Sequence, residues 1–170
     1  MKLIKEIDKE KETICDAYKI RKAARALLFN NENKIALLNV TKYHYHKLPG
    51  GGVEDMEDIT VALEREAMEE VGAKIEVIDE VGITIEYRKK FGVLQISYCY
   101  IAKVKGELGN PEFTESEKNE GFVVEWYSLS DAISMMKKEM PENYPGNYIV
   151  ERDLAFLMEY EIAKVNGVLK

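Results

Sequence analysis

The residues of this chain that point most directly to chemistry are three glutamates, Glu66, Glu69 and Glu70. In a helix, spacings of three and four residues place the carboxylates on one strip, within an arc of roughly 100°. Like charges this close repel each other, so a cation is expected to offset the cost. Carboxylate oxygens suit a hard divalent ion, and Mg²⁺ or Mn²⁺ fits best. A solvated acidic helix face is the simpler alternative, because runs of charge usually have that meaning.

A glycine-rich segment, residues 48–54 (LPGGGVE), precedes this strip, and Glu57 and Arg65 follow it. Residues 51–73 fit the pattern G-x5-E-x7-R-E-U-x-E-E-x-G-U, where U is usually a bulky aliphatic residue. This pattern resembles the Nudix box of the Nudix hydrolases. Every charged and glycine position matches, and Ala67 and Ala73 stand at the two U positions. So many fixed positions make the motif far more specific than a lone glycine-rich fingerprint.

The composition sets the broad class of protein. The chain has 170 residues, of which 46% are apolar and 32% charged, so we expect one soluble globular domain. No apolar run reaches membrane-spanning length, and the start of the chain lacks a signal-peptide core. Two isolated cysteines favour a reduced, cytoplasmic protein. The net charge of −7 argues against nucleic acid as a partner, because phosphate contacts require a basic face.

Patterning along the chain indicates alternating strands and helices. We predict strands at 23–29, 34–40, 75–87, 93–104 and 123–127, with a turn at 30–33. A helix is predicted over Ile59–Val71, ended by Gly72, with a core stripe of Ile59, Leu63, Ala67 and Val71. Residues 106–120 are predicted to be a long acidic loop. A helix that begins after Ser128 should turn Leu129, Ile133, Met136 and Met140 inward, and residues 141–147 should end it. The last predicted helix is 148–165, with Val150, Leu154, Leu157 and Ile162 on its apolar face.

Periodicity alone predicts an α/β or α+β fold. The resemblance implies more, namely the α/β/α sandwich with a mixed sheet that Nudix proteins have. On that basis we expect a Nudix domain at residues 21–140, with a helix in 141–170 packed on the same domain. Residues 1–20 form an edge strand, a short helix or a loose arm, and the sequence does not decide among the three.

The resemblance also implies roles for the box residues. Glu66, Glu69 and Glu70 would hold the metal ions together with the backbone carbonyl of Gly50, and one of these carboxylates, Glu69 among them, could take a proton from the attacking water. Glu57 and Arg65 match positions that pair with each other, and a guanidinium–carboxylate pair would orient the helix against the loop.

A further carboxylate is usual in this family, in a loop before the late strand. Residues 120–126, EGFVVEW, look like the corresponding stretch of MutT-type enzymes. By that match Glu120 would be the fourth ligand or the general base. Glu115 and Glu117 lie in the same stretch and are its rivals.

Three other residues are candidate substrate contacts. His46 lies beside the glycine-rich segment, where it could touch a base or a phosphate, although a plain strand residue is the simpler reading. Lys47 could also reach a phosphate, because it comes directly before the glycine-rich segment. Arg25 belongs to the basic group that opens the first predicted strand.

The box defines a reaction and says little about the molecule that is cleaved. The patterns associated with coenzyme A and ADP-ribose cleavage are absent, and the position of Tyr87 does not convincingly match dinucleoside polyphosphate enzymes. A nucleoside triphosphate, ordinary or oxidised, is therefore the expected small-molecule partner, and a nucleotide sugar comes next. A silent nucleotide-binding module, an isoprenoid diphosphate isomerase and a homodimer also stay open.

Overall fold

The computed structural model describes residues 1–167, and residues 168–170 of the predicted C-terminal segment lie outside the described part. Seven strands and four helices follow one another along the chain, with short 3-10 turns at Thr41–Tyr43 and Lys89–Phe91. In chain order they are β1 (Leu3–Ile7), β2 (Lys19–Phe29), β3 (Ile35–Val40), β4 (Tyr45–Lys47), α1 (Ile59–Val71), β5 (Ile75–Arg88), β6 (Val93–Val104), α2 (Glu115–Glu120), β7 (Phe122–Tyr127), α3 (Leu129–Met136) and α4 (Tyr144–Val165).

The strands form one mixed sheet in the order β1-β5-β6-β2-β3-β4, and β7 pairs with β3. The pairs β1/β5 and β2/β6 are parallel, whereas β5/β6, β2/β3, β3/β4 and β3/β7 are antiparallel. Of the three possibilities for the N-terminal segment, residues 3–7 adopt the edge strand. The prediction of a mixed sheet is confirmed.

Helices cover both faces of the sheet, because β2 is apolar on both of its sides. Ala24, Ala26 and Leu28 are buried in a cluster with α1, while Leu27 and Phe29 belong to a second cluster with α3 and α4. Alternate side chains of a strand point to opposite faces, so this division follows from the sequence of β2 itself. The layers are therefore α1, sheet, and α3 with α4, which confirms the predicted α/β/α sandwich.

The free edge of β2 holds the glycine-rich segment. Beyond the Phe29–Ile35 pair, β3 diverges from β2, and residues 49–53 take its place. The Ala24 N–H donates to the Gly51 carbonyl and the Ala26 N–H to the Pro49 carbonyl, each at 3.0 Å. These bonds fix the loop as a pseudo-strand beside residues 65–70 of α1.

Local signals set the limits of α1. The Asp58 side chain accepts from the Thr60 N–H as the N-cap, and Gly72 ends the helix with φ of 69°. Such a left-handed residue costs little when it is glycine. Leu63, Ala67 and Val71 are buried, as predicted, and Ile59 packs at the edge of the same cluster.

Four element predictions are wrong at their boundaries. Strand β2 begins at Lys19, four residues before its predicted start. Residues 115–120 form α2 and not loop, because Thr114 and Glu117 make a reciprocal capping box. Met140 is exposed, since α3 already ends at Met136. The last helix begins at Tyr144, four residues earlier than predicted, because Pro145 lies in its first turn, where proline has no hydrogen bond to lose.

Candidate active site

The three box glutamates lie on one strip of α1 with very different environments. The Glu70 side chain is 2% exposed, Glu66 is 12% exposed and Glu69 is 47% exposed. Glu66 and Glu70 therefore face the glycine-rich loop, whereas Glu69 faces solvent, where it is free to meet a solute.

Arg65 fastens this strip to the loop. Its Nε donates to Glu57 Oε1 at 3.0 Å and its Nη2 to Glu57 Oε2 at 3.1 Å, which is a two-point guanidinium–carboxylate contact. Nη2 also donates to the Gly52 carbonyl at 3.0 Å, and Nη1 donates to Glu66 at 2.9 Å and to Glu69 at 3.3 Å. The Glu57 hydrogen bonds raise the pKa of Arg65 above its usual value despite some burial. The Arg65 side chain thus aligns the loop with Glu66 and Glu69.

Two glycines allow the loop to approach the strip and the sheet. A Cβ on Gly51 would stand 2.2 Å from Glu66 Oε1, so the carboxylate occupies the space that any other residue would need. Gly50 has φ of 128°, and a Cβ there would stand 2.1 Å from the Ala24 carbonyl oxygen. Substitution at either position would push the loop away from the elements that hold it.

Glu70 is held by the protein at both oxygens. Lys47 Nζ donates to Oε1 at 2.8 Å, and the Gly50 N–H donates to Oε2 at 2.6 Å. Burial raises the pKa of Glu70, while Lys47 and the Gly50 N–H oppose that rise. Lys47 also lies 4.9 Å from the centre of the Phe122 ring. Lys47 was predicted to contact a phosphate, and in this structure its ammonium group binds the box residue Glu70.

The free oxygen atoms of the strip and loop are of the chemical type that a hard divalent cation binds. Among the described residues, no hydrogen-bond donor reaches Glu66 Oε2, Glu69 Oε1 or the carbonyl oxygen of Gly50. These are the oxygen types that Mg²⁺ and Mn²⁺ take. Within residues 1–167, no three acidic, histidine or cysteine side chains already converge on one point. A metal at this strip therefore needs a change of side-chain rotamer, which the exposed Glu69 can make.

Glu120 ends α2, just before β7. Its Oε1 accepts a 3.4 Å hydrogen bond from Ser116, and its charge contributes to raising the pKa of Tyr45 to about 12, after burial as the main cause. Its rivals are held differently. Glu117 closes the capping box with Thr114, and Glu115 pairs with Lys118. Glu120 is thus the carboxylate of this helix that is least engaged by neighbouring groups.

His46 has a structural environment. Its Nδ1 lies 2.5 Å from Glu139 Oε1 and its Nε2 lies 3.0 Å from Glu125 Oε2. The ring is nearly buried, and neither nitrogen is left for a ligand. Burial lowers the pKa of His46, but the two carboxylates outweigh it and the net pKa is raised. The structure therefore speaks against the predicted substrate contact and supports the simpler reading of His46 as a strand residue.

Arg25 is also far less accessible than a surface phosphate contact would be. The residue is 5% exposed, and its Nη1 donates to the Ala24 carbonyl at 3.2 Å. Burial, with the nearby charge of Arg152, lowers the pKa of Arg25 to about 10, so the group stays protonated at neutral pH. The sequence predicted only that a residue of this basic group contacts a phosphate, and the structure shows that β2 turns Arg25 toward α4.

Sequence reasoning missed a buried polar network behind the loop. Asp153 on α4 accepts from the Leu48 N–H at 2.8 Å and from Arg152, and Arg152 contacts Glu86 on β5. All three charged side chains are fully buried. The signal available was an arginine–aspartate pair inside an apolar helix pattern, and the sequence analysis did not use it. This network holds Leu48, at the start of the glycine-rich loop, against α4.

Comparison with known proteins agrees with this geometry. The NUDIX domain family matches residues 19–146, which is well over half of the chain, and the chain therefore belongs to that family. The family predicted from the box is confirmed. Within residues 1–167, no helix is both long and apolar enough to cross a membrane.

Two curated relatives resemble the chain at about one residue in three. Diphosphoinositol polyphosphate phosphohydrolase 2 of Rattus norvegicus is 32% identical over 124 residues, which are 71% of this chain and 65% of the rat protein. Nudix hydrolase 13, mitochondrial, of Arabidopsis thaliana is 31% identical over 121 residues, which are 64% of this chain and 56% of the plant protein. The match thus spans less than two thirds of either relative.

Solved structures share the fold at lower identity. A MutT protein from Methanosarcina mazei Go1 has a TM-score of 0.61 at 18% identity, over 86% of this chain and 96% of that one. The E. coli ORF135 protein has a TM-score of 0.60 at 21% identity, over 86% and 92% of the two chains. These likenesses establish the α/β Nudix fold of the chain.

Proposed function

We propose that this domain is a metal-dependent pyrophosphohydrolase that cleaves the diphosphate linkage of a nucleoside-diphosphate derivative. A nucleoside triphosphate or an oxidised nucleotide is the substrate we favour. The observation that carries the proposal is the strip of Glu66, Glu69 and Glu70, aligned by Arg65 against the Gly50–Gly52 loop. The names of the curated relatives, both hydrolases, support the same class of reaction.

A diphosphate resists hydrolysis because its own oxygens repel a nucleophile. Bound Mg²⁺ or Mn²⁺ would neutralise that charge and lower the pKa of a water molecule. Glu66 and Glu69 would supply carboxylate oxygens to the ion and Gly50 its carbonyl. Glu70 would join them if Lys47 moved from its carboxylate, for instance toward a substrate phosphate.

Residues of the chain position the loop and accept the proton of the attacking water. Arg65 and Glu57 hold the loop at a fixed distance from the strip, and this positioning is a large part of catalysis. As water forms its bond to phosphorus, the bridging P–O bond breaks and the water proton passes to a carboxylate. We assign that base to Glu120, with Glu69 as the alternative. Among the described residues, Glu120 accepts only one long hydrogen bond, from Ser116, and Glu69 accepts only one, from Arg65, so both carboxylates have free oxygens.

Two other readings are disfavoured by particular residues. A silent binding module usually lacks box glutamates, and this chain retains all three. An isoprenoid diphosphate isomerase requires a reactive cysteine. Cys99 is fully buried in β6, and burial raises the pKa of its thiol well above the usual value, which makes the thiolate scarce.

A second substrate class follows from the rat relative, whose name describes action on diphosphoinositol polyphosphates. Such a molecule also presents a diphosphate, but on a ring that carries further phosphates. The box would cleave it by the same chemistry. The choice between the two classes depends on what binds the remainder of the substrate.

The test is incubation of the protein with a panel of diphosphate compounds after chelation and again after addition of Mg²⁺ or Mn²⁺. We expect cleavage only with metal, and in heavy-oxygen water the label should enter a phosphate product. Full turnover in excess chelator would contradict metal dependence, and label in neither phosphate fragment would contradict attack at phosphorus. Glu69→Gln prepared in parallel controls for a contaminating hydrolase.

A further inference from the structure

A small cavity lies behind the glycine-rich loop, on the α4 side of β2. It has a volume of about 240 Å³ and is lined by three arginines and a glutamine, with apolar side chains completing the wall. The polar lining residues are Arg21, Arg25, Arg88 and Gln95. No acidic side chain of the described residues is among those that line it. The cavity therefore concentrates positive charge in a protein whose net charge is −7.

The neighbouring acids compensate this charge only in part. Glu86 is fully buried behind the wall, where it pairs with Arg88 at 2.5 Å and with Arg152 at 3.3 Å. Arg21 donates to Gln95 Oε1 at 2.5 Å, and this acceptor is neutral. Two of the three lining guanidinium groups, those of Arg21 and Arg25, thus form no ion pair with a carboxylate among the described residues.

Arg25 is the residue that points most directly to an anionic ligand in this cavity. It is more than nine-tenths buried, and its Nε has no hydrogen-bond partner among the described residues. An unpartnered donor on a buried cation is costly, and native proteins usually satisfy such groups. An anion in the cavity would supply the acceptor and the opposite charge together.

The cavity lies directly against the catalytic loop. A Cβ on Gly50 would stand 3.0 Å from the Arg25 Cα, and a Cβ on Gly52 would stand 2.9 Å from Arg21 Nη2. The loop thus touches the cavity wall on one side and Glu66 on the other. At about 240 Å³ the space is below the usual range for a whole small molecule but suits a single charged group of one.

We propose that this arginine cavity binds a phosphoryl group of the substrate that lies beyond the diphosphate being cleaved. Arginine is suited to this role because its planar fork pairs with phosphate oxygens at two points. The proposal rests on the proposed function and narrows it. The substrate should carry at least one phosphate more than the scissile pair, as a nucleoside triphosphate or a diphosphate on a phosphorylated ring does, and as a nucleotide sugar does not.

Binding without turnover tests the cavity independently of catalysis. Inorganic triphosphate is titrated calorimetrically into the full-length protein in excess chelator. We expect saturable binding with one site, and a weakening of about 10-fold or more in Arg21→Gln and in Arg25→Gln, the size expected for losing a charge-assisted hydrogen bond. Arg21 is solvent-exposed, so if Arg25→Gln fails to fold, Arg21→Gln decides the question.

Lys22→Gln is the matched control, because it removes the same charge one residue along β2 from a side chain that does not line the cavity. It should bind within about twofold of the wild type, as most surface substitutions away from a site do. Equal weakening in Lys22→Gln, unchanged binding in Arg21→Gln, or no saturable binding in the wild type would each overturn the cavity assignment. None of these results would affect the proposed hydrolysis.

Turnover then identifies the source of the phosphate. KM of Arg21→Gln is measured for a nucleoside triphosphate, a diphosphoinositol polyphosphate and a nucleotide sugar. We expect the rise in KM to be about 10-fold greater for whichever phosphate-rich class is the substrate than for the nucleotide sugar. An equal rise for all three would overturn the proposed role. A wild type that cleaves none of them would refute the proposed function and leave the binding result standing.

Discussion

Lys47 and Glu70 form an ion pair of 2.8 Å at the buried end of the glutamate strip. The third box carboxylate is therefore already neutralised by a cation of the chain itself. Among the described residues, its partners on the strip receive only the shared guanidinium of Arg65. Before any metal arrives, the like-charge repulsion expected from the sequence is thus relieved unevenly, and Glu70 contributes to stability as well as to the site.

This asymmetry predicts opposite effects of two equivalent substitutions. Glu70→Gln should destabilise the metal-free protein by about 3–5 kcal/mol, because it leaves Lys47 with no charge partner in a nearly buried position. Glu69→Gln should change the free energy of unfolding by about 0.5 kcal/mol at most, because Glu69 is half exposed. Urea unfolding in chelator measures both. Similar losses in the two variants would show that Glu69 also has a structural role.

The glycines of the loop provide a second matched pair. Gly51→Ala should lower kcat/KM by roughly 10², since its Cβ would displace the Glu66 carboxylate and a misplacement of about 1 Å has that cost. Gly52→Ala should cost less, because its Cβ would meet the mobile end of Arg21. Steady-state kinetics at saturating Mg²⁺ compare the two. A larger loss in Gly52→Ala would mean that the loop is positioned by something other than the Glu66 contact.

Glu120 can be separated from its neighbours by kinetics. If it is the general base, Glu120→Gln should lower kcat by roughly 10²–10⁴ with little change in KM. Glu117→Gln is the best control, because glutamine can also close the capping box and so preserve α2. Glu115→Gln removes an exposed pair only. A greater loss in either control would move the catalytic role away from Glu120, and a change in both constants would make Glu120 a metal ligand.

His46 predicts how stability depends on pH. Its folded pKa is raised above the unfolded value of about 6.5, so its contribution is complete below that pH and is lost as pH rises through the folded pKa. The wild type should therefore lose stability relative to His46→Asn as pH rises above about 6.5. Urea unfolding in metal-free buffer at several pH values tests this. Parallel curves for the two proteins would show that His46 titrates as it does in the unfolded chain.

The sequence predicted what depends on local patterns. Helix α1 was predicted from its apolar stripe and its terminal glycine, which lie within one short stretch and need no tertiary information. The contact between Glu57 and Arg65, which the structure contains, was implied by the family resemblance. The mixed sheet followed from the family resemblance, since periodicity alone left the fold class open.

The burial of side chains by elements that are distant in sequence could not be predicted from local patterns. His46 was expected near substrate, yet it is held by Glu125 and Glu139, 79 and 93 residues away, and Arg25 lines a cavity beside α4 and does not reach the outer surface. The pair Arg152–Asp153 was missed because its partners, Glu86 and the Leu48 N–H, also come from remote parts of the chain. Charges that are paired across the fold leave no periodic mark.

The parallel pairing of β2 with β6, from Lys19–Val93 to Phe29–Lys103, has a consequence for the order of folding. Arg21 and Gln95 are 74 residues apart in sequence, and closing so long a loop is slow compared with forming a hairpin. A chain emerging from the ribosome has every box side chain before it has the strand that supports β2. We expect the catalytic loop to gain its final shape only when β6 docks, so the site should appear in one late step.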